Sequence, residues 1–165
     1  MNVFTPIAPG ETPPLEGAPK AGVLALAHTV GADEVSALVP HANNIVILSW
    51  IDLAASRHGD LAGASRASLA QSGRMWFVAR HEVDYLGEAF VGDRVAIATW
   101  VEELGRTSLV RATRIVRIDD GKPLVHARSR WALVDLATPR PAPIDAAVRE
   151  ALAADTGERK TPFDQ

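Results

Sequence analysis

One aspartate, Asp52, interrupts an apolar run that reads IVILSWIDLAA. An ionised carboxylate among such neighbours is costly unless it is solvated or paired, and a cost tolerated there points to acid–base or nucleophilic work. The plain alternative has Asp52 facing outward, or pairing with Arg57 or another chain. Just ahead of the run stand His41, Asn43 and Asn44. A histidine can donate to a carbonyl or orient water near neutral pH, and asparagines cap helix ends. A loop histidine that merely shapes the helix start is the competing reading of His41. His81 falls on the apolar face of an alternating stretch, where a satisfied core histidine is the plainer account. Arg111, Arg114, Arg117, Arg128 and Arg130 offer cations for phosphate groups, but Arg114 alternates with Arg111 and Arg117, so these three cannot share one strand face. The chain has no cysteine, which excludes disulfides, thiolate metal sites and a cysteine nucleophile.

The elements that must position these residues are legible from period and punctuation. Residues 1 to about 20 hold five of the eleven prolines, so they form a mobile or extended lead-in. A β-permissive segment, GVLALAHTVGADEV, follows. From Asn44 to His58 apolar residues recur at three and four, the pattern of a helix with a wide apolar face, with Asn43 or Asn44 as its N-cap and Gly59 as its stop. A shorter helix is expected over Leu61 to Gln71, ended by Gly73. The remainder alternates with period two: MWFVARHEVDYL, with Phe77, Ala79, His81, Val83 and Tyr85 on one face, then RVAIATWVEEL, TSLVRATRIVRI and PLVHARSRWALVDL. Gly92-Asp93, Gly105 and Asp119-Asp120-Gly121 supply the turns between them. Pro139, Pro141 and Pro143 close the sheet, and Asp145 to Ala154 reads as a short terminal helix. The order is α+β with an antiparallel sheet whose long strands must wrap the apolar helix.

The bulk properties narrow the function. At 165 residues, 47% hydrophobic and 22% charged, the chain is the size and composition of one globular domain. A net charge of −3 gives no basic field for nucleic acid or an anionic membrane. No apolar run approaches the roughly 18 residues that span a bilayer, and the start lacks the order of a signal peptide. A soluble, cytoplasmic protein is expected, with a single domain over 21–155 and a polar tail over 156–165.

PHANNIVILSWIDLAA resembles the helix-opening motif of hotdog-fold acyl-CoA thioesterases, in the 4-hydroxybenzoyl-CoA and acyl-ACP thioesterase branch, where it is often written G-H-V-N-N-x-x-Y-x-x-W-x-E. FVARHEVDYLGEAFVGDRV, LGRTSLVRATRIVR and RWALVDLATPRPAPI resemble the strands that follow, in register from about Val23 to Leu152. The resemblance implies a hotdog fold, a strongly bent antiparallel sheet around a long central helix. It implies thioester hydrolysis on an acyl-CoA or acyl-carrier-protein substrate, by a homodimer or homotetramer, with no cofactor beyond the coenzyme A of the substrate and no metal.

By the same resemblance the amide of Asn44, and next that of Asn43, would polarise the thioester carbonyl at the open amino end of the helix. Capping alone is the alternative for both asparagines. Family members often carry an acid in a D-x-D-x-x-G-H arrangement ahead of the motif. The matching positions here are Val35 and Ala37, which can do no acid–base work; Glu34 would need a one-residue shift to serve. Other branches place the acid on the helix, eight residues after the oxyanion amide, facing the partner's site, and that position is Asp52. His41 matches the motif histidine counted as catalytic in the plant branch, and Arg106 and Ser108 match a stretch that lies near the pantetheine or phosphate. Trp50 is expected to help line the acyl tunnel or core. A non-catalytic acyl-CoA or acyl-carrier-protein binding module on the same fold is the competing function.

Overall fold

Asn43 starts the central helix. Its backbone is extended, and its side-chain carbonyl accepts from the Val46 N–H at 3.0 Å, as an N-cap should. The resulting helix, α1 (Asn44–Leu61), buries Ile47, Trp50, Ile51, Ala54, Ala55, His58 and Gly59, a stripe at three- and four-residue spacing. In this computed structural model, which describes residues 3–156, that stripe lies in the hollow of one curled antiparallel sheet.

The strands are β1 (Thr5–Pro6), β2 (Leu24–Thr29), β3 (Arg74–Tyr85), β4 (Arg94–Leu104), β5 (Ser108–Arg117), β6 (Pro123–Asp135) and β7 (Arg140–Pro141). Their order is β1-β2-β4-β5-β6-β3, with β7 extending the sheet beside β6. Leu26, Val95, Ile97, Ile115, Val125 and Ala127 line the hollow and meet Trp50 and Ile51 of the helix. Burying each such large side chain contributes about 1.5–3 kcal/mol. Two short helices complete the fold. The first, α2 (Arg66–Gln71), is capped by Ser65; the second, α3 (Ala146–Thr156), carries Leu152 into a second cluster with Ala55, Val101, Leu109 and Trp131.

The α+β hotdog architecture holds, and several local expectations shift. The central helix does not stop at Gly59, which is buried within it; it runs on to Leu61, and Gly63, at φ +74°, turns the chain away. Because a β-carbon on Gly63 would meet nothing within 4 Å, Gly63→Ala isolates the conformational penalty. It is expected to cost about 1–2 kcal/mol, read as a lowered denaturant midpoint. The second helix is shorter than its pattern suggested.

In β3 a bulge between Val78 and Arg80 slips the pairing with β6. Trp76 and Val78 therefore join His81 and Val83 on the inner face, and Phe77 turns outward opposite Ala132. The proline-rich lead-in makes a 3-10 turn over Pro9–Glu11 and is held against the sheet. After β1 it crosses the outer face of the sheet, where Arg114 donates from Nε to the Glu16 carbonyl at 3.0 Å and stacks over buried Trp100.

Candidate active site

The amino end of α1 is open. Asn43 is fully committed: its N–H donates to the Glu34 carbonyl and its side chain caps Val46. The N–H groups of Asn44 and Ile45, by contrast, meet no acceptor among the described residues, and both residues are exposed, Ile45 at 74%. Two unsatisfied donors at the positive end of an 18-residue helix suit a developing oxyanion. His41 borders this end. It bridges to Phe90 through the backbone, places Nδ1 3.0 Å from the Ala42 carbonyl oxygen, and stands 3.8 Å from Glu88.

Glu34 fixes the loop that sets this end in place. It is only 3% exposed. It accepts from the Gly31 N–H at 2.8 Å and from Trp50 Nε1 at 2.9 Å, and it pairs with His28 Nε2 at 2.7 Å. His28 Nδ1 reaches the Val3 carbonyl, and Phe4 stacks on the ring. Burial works against the Glu34 charge, but the hydrogen bonds from Gly31, His28 and Trp50, with the charge of His28, outweigh it and hold the carboxyl below its usual range. Glu34 is thus sequestered in the core and is not offered to a substrate. Trp50 is likewise a core residue whose indole serves Glu34.

Asp52 lies eight residues beyond Asn44, about 12 Å along the helix axis. Its side chain is 42% exposed and accepts from Arg66 Nη2 at 2.8 Å, so its partner is Arg66 on α2 rather than Arg57. The pair sits in a shallow groove with Ser49, Ser56, Asp60 and Ser65. Across the hollow, His81 Nδ1 is 2.7 Å from Ser129 Oγ, and the ring meets Trp131 edge-on. Burial lowers the His81 pKa, partly opposed by the negative charge of Asp52. His81 is therefore hydrogen-bonded and half-buried, yet within electrostatic reach of the helix carboxylate.

Arg106 and Ser108 do not join this group within one chain. Arg106 lies in the turn after β4 and Ser108 opens β5, at the far end of the sheet from Asn44, where the Ser108 carbonyl accepts from the Gly105 N–H and that of Arg106 from the Ile144 N–H. Of the strand arginines, Arg111 is buried against His58. Arg117 and Arg128 are paired with Asp93 and Asp120, and with Glu102 and Glu103. Among the described residues no cluster of three or more His, Cys, Asp or Glu converges as a metal site, and no helix is long and apolar enough to cross a membrane.

Residues 36–152 match the model of the thioesterase-like superfamily. The chain belongs to that superfamily. Solved structures of thioesterases share the fold of this family member. A thioesterase from Thermus thermophilus, complexed with coenzyme A and Zn, is 29% identical with a TM-score of 0.71, over 88% of this chain and 100% of that one. The 1,4-dihydroxy-2-naphthoyl-CoA thioesterase Slr0204 from Synechocystis is 14% identical with a TM-score of 0.74, over 80% and 96%. The 12:0-ACP thioesterase from Umbellularia californica is 18% identical with a TM-score of 0.72, over 86% and 56%, so the present chain spans about half of that enzyme. No curated protein sequence matches.

Sequence reasoning missed two inner-face residues of this thioesterase-family chain. Trp76 and Trp131 stand beside the Asp52 groove, and the bulge that brings Trp76 there has no signature in the alternation of MWFVARHEV.

Proposed function

We propose that this protein is an acyl-CoA thioesterase whose sites lie between two copies of the chain. One observation carries the reading: the free Asn44 N–H and the Asp52 carboxylate stand on one helix but about 12 Å apart, too far to serve a single carbonyl. Two antiparallel helices side by side would set the amide of one against the aspartate of the other. The twelve-residue β3, whose outer edge has no partner strand among the described residues, offers the surface for such a pairing, since Phe77, Val78, Tyr85 and Leu86 beside it are exposed apolar side chains.

In the reaction the thioester oxygen accepts from the Asn44 N–H. Asp52 of the other subunit takes a proton from water, and the water oxygen adds to the carbonyl carbon. The C–S bond then breaks, the sulfur leaves as thiolate and is protonated, and the products are the free acid and coenzyme A. A route in which Asp52 itself attacks, followed by hydrolysis of the anhydride, uses the same geometry. His41 assists from the helix start. No cofactor is required.

Thiol release across a panel of acyl-CoAs tests this. Asp52→Asn keeps the size of the side chain and its bond to Arg66, and is expected to lower kcat by about 10²–10⁴. Unchanged release in that variant would remove Asp52 from the chemistry. The competing reading, a non-catalytic module that binds acyl-CoA or acyl-carrier protein, is favoured by Val35 and Ala37 at the usual acid positions. Binding without release from any thioester would establish it.

A further inference from the structure

The sequence of β3 restricts what could pair along its open edge. Past the bulge at Ala79 the side chains alternate, with Arg80, Glu82 and Asp84 on the outer face and His81, Val83 and Tyr85 on the inner face. Before it, Trp76 and Val78 face inward and Phe77 outward. On the β6 side Arg80 stands directly against Arg130, which has no acid partner among the described residues, while Glu82 stands against Arg128. Like charges directly opposite one another destabilise a sheet, and an acid on the other flank of Arg80 would offset that cost. Within the chain Arg80 pairs with Glu82, its neighbour but one on the same strand.

A second copy of the chain can lay its own β3 antiparallel along this edge, about a two-fold axis. Directly opposite side chains share a face of the sheet, so the axis must pass through one residue that faces its own counterpart. The charges decide which residue that is. An axis at Arg80 sets two arginines together, and one at Glu82 sets two glutamates together. An axis at Val83 sets Glu82 against Asp84 twice. Only an axis at His81 brings Arg80 against Glu82 of the other copy, twice, with no like charges of the two strands opposed. Past Ala79, the extra residue of the bulge, the same register sets Val78 against Val83 and Trp76 against Tyr85, apolar pairs that all lie on the inner face. Val78 and Tyr85 are 39% and 46% exposed in the single chain, so the pairing removes apolar surface from water. Burial lowers the His81 pKa, partly opposed by the charge of Asp52, so two imidazoles can meet on the axis uncharged near neutral pH.

We propose that β3 pairs with β3 of a second copy in the register that sets His81 against His81, flanked on each side of the axis by an Arg80–Glu82 ion pair between copies. The inference rests on the two-copy site proposed above. It goes beyond that site in fixing which residues meet and what selects them.

The chain has no cysteine, so single-cysteine variants of the full chain report the register without background. Residues that face each other across an antiparallel pair have α-carbons about 4.5–5.5 Å apart, a separation that a disulfide spans. A residue one place off the axis is also displaced from its counterpart by about 7 Å along the strand, which takes it out of that range. Under diamide at neutral pH, His81→Cys is expected to run as a covalent dimer on a non-reducing gel, whereas Arg80→Cys and Glu82→Cys should remain single chains. Sedimentation gives a second measurement that does not touch His81. Arg80→Glu opposes acid to acid at two places and should weaken the dimer by about tenfold or more. The double variant Arg80→Glu with Glu82→Arg should restore it, a rescue that damage to the fold would not show. A dimer that crosslinks at another position, or whose affinity is indifferent to Arg80→Glu, overturns the register and leaves the shared site standing. A chain that stays monomeric at every concentration overturns the register and the shared site together, and thiol release from acyl-CoAs judges the hydrolase separately.

Discussion

Replacing Glu34 by alanine is expected to remove about 3–5 kcal/mol of folding stability, the usual loss when one member of a buried ion pair is deleted. A domain of this kind has roughly 5–15 kcal/mol in all. The substitution strips His28 Nε2, Trp50 Nε1 and the Gly31 N–H of their shared acceptor at once, and those groups tie β2, α1 and the loop between them together. Chemical denaturation near neutral pH reads the loss, and a change below about 1 kcal/mol, the scale of a single ordinary hydrogen bond, would contradict it. Glu34→Gln keeps acceptor capacity for Trp50 but not the charge, and should fall between. The pH dependence has a definite sign. Because the folded-state pKa of Glu34 is depressed, its contribution is fully present above the unfolded value of about 4.3 and fades as pH falls through the lower folded value. The stability gap between wild type and Glu34→Ala should therefore narrow in acid.

Proline in place of Asn44 should abolish most of the activity while leaving the fold intact, a combination few other substitutions could give. The first helical position tolerates proline because its N–H is unbonded anyway, and here that N–H has no acceptor among the described residues. The preceding residue, Asn43, already sits at φ −78° and ψ 161°, the extended conformation a following proline demands. Only the proposed oxyanion donor is lost, and removing one such donor lowers kcat by about 10²–10³. Circular dichroism and the denaturant midpoint would confirm the fold, and thiol release would show the deficit. A folded Asn44→Pro protein with full turnover would end the assignment. The same variant tests how the site is divided. Co-expressed with Asp52→Asn, it gives a mixed dimer in which one site has both an intact amide and an intact carboxylate. Activity in the mixture, absent from either variant alone, is the expected result. An inactive mixture would mean that amide and carboxylate do not meet across subunits.

Much of this is legible in the order of residues. β3 to β6 begin and end close to where alternation and the Gly92, Gly105 and Gly121 turns set them, because period two and turn chemistry are local signals. The helix start is legible for the same reason, since Asn43 caps Val46 from three residues away. What escapes is non-local. The bulge beside Ala79 adds one residue to a strand whose alternation reads the same with or without it, so Phe77 reads onto the wrong face. Glu34 reads as a loop acid until His28 and Trp50 close over it, the latter from 16 residues away. Gly59 reads as a stop until its place inside α1 shows that smallness was wanted, beside a pocket and 3.4 Å from the Ala64 carbonyl at the would-be β-carbon. The prolines of the lead-in mark it off from the sheet but do not signal the Arg114 hydrogen bond to the Glu16 carbonyl that holds it to the outer face.

The two borders of the sheet are unequal. Beside β2 the border is blunted by a two-residue strand that ends in Pro6, which has no N–H to donate, whereas the twelve-residue β3 is paired with β6 on one side and leaves its other edge open among the described residues. A chain with one adhesive border and one inert border can join a copy of itself about a two-fold axis, and afterwards neither copy has a strand left to offer. In the proposed dimer, ribbon-like stacking of strand upon strand, the hazard carried by any long apolar border, would be closed off after a single step.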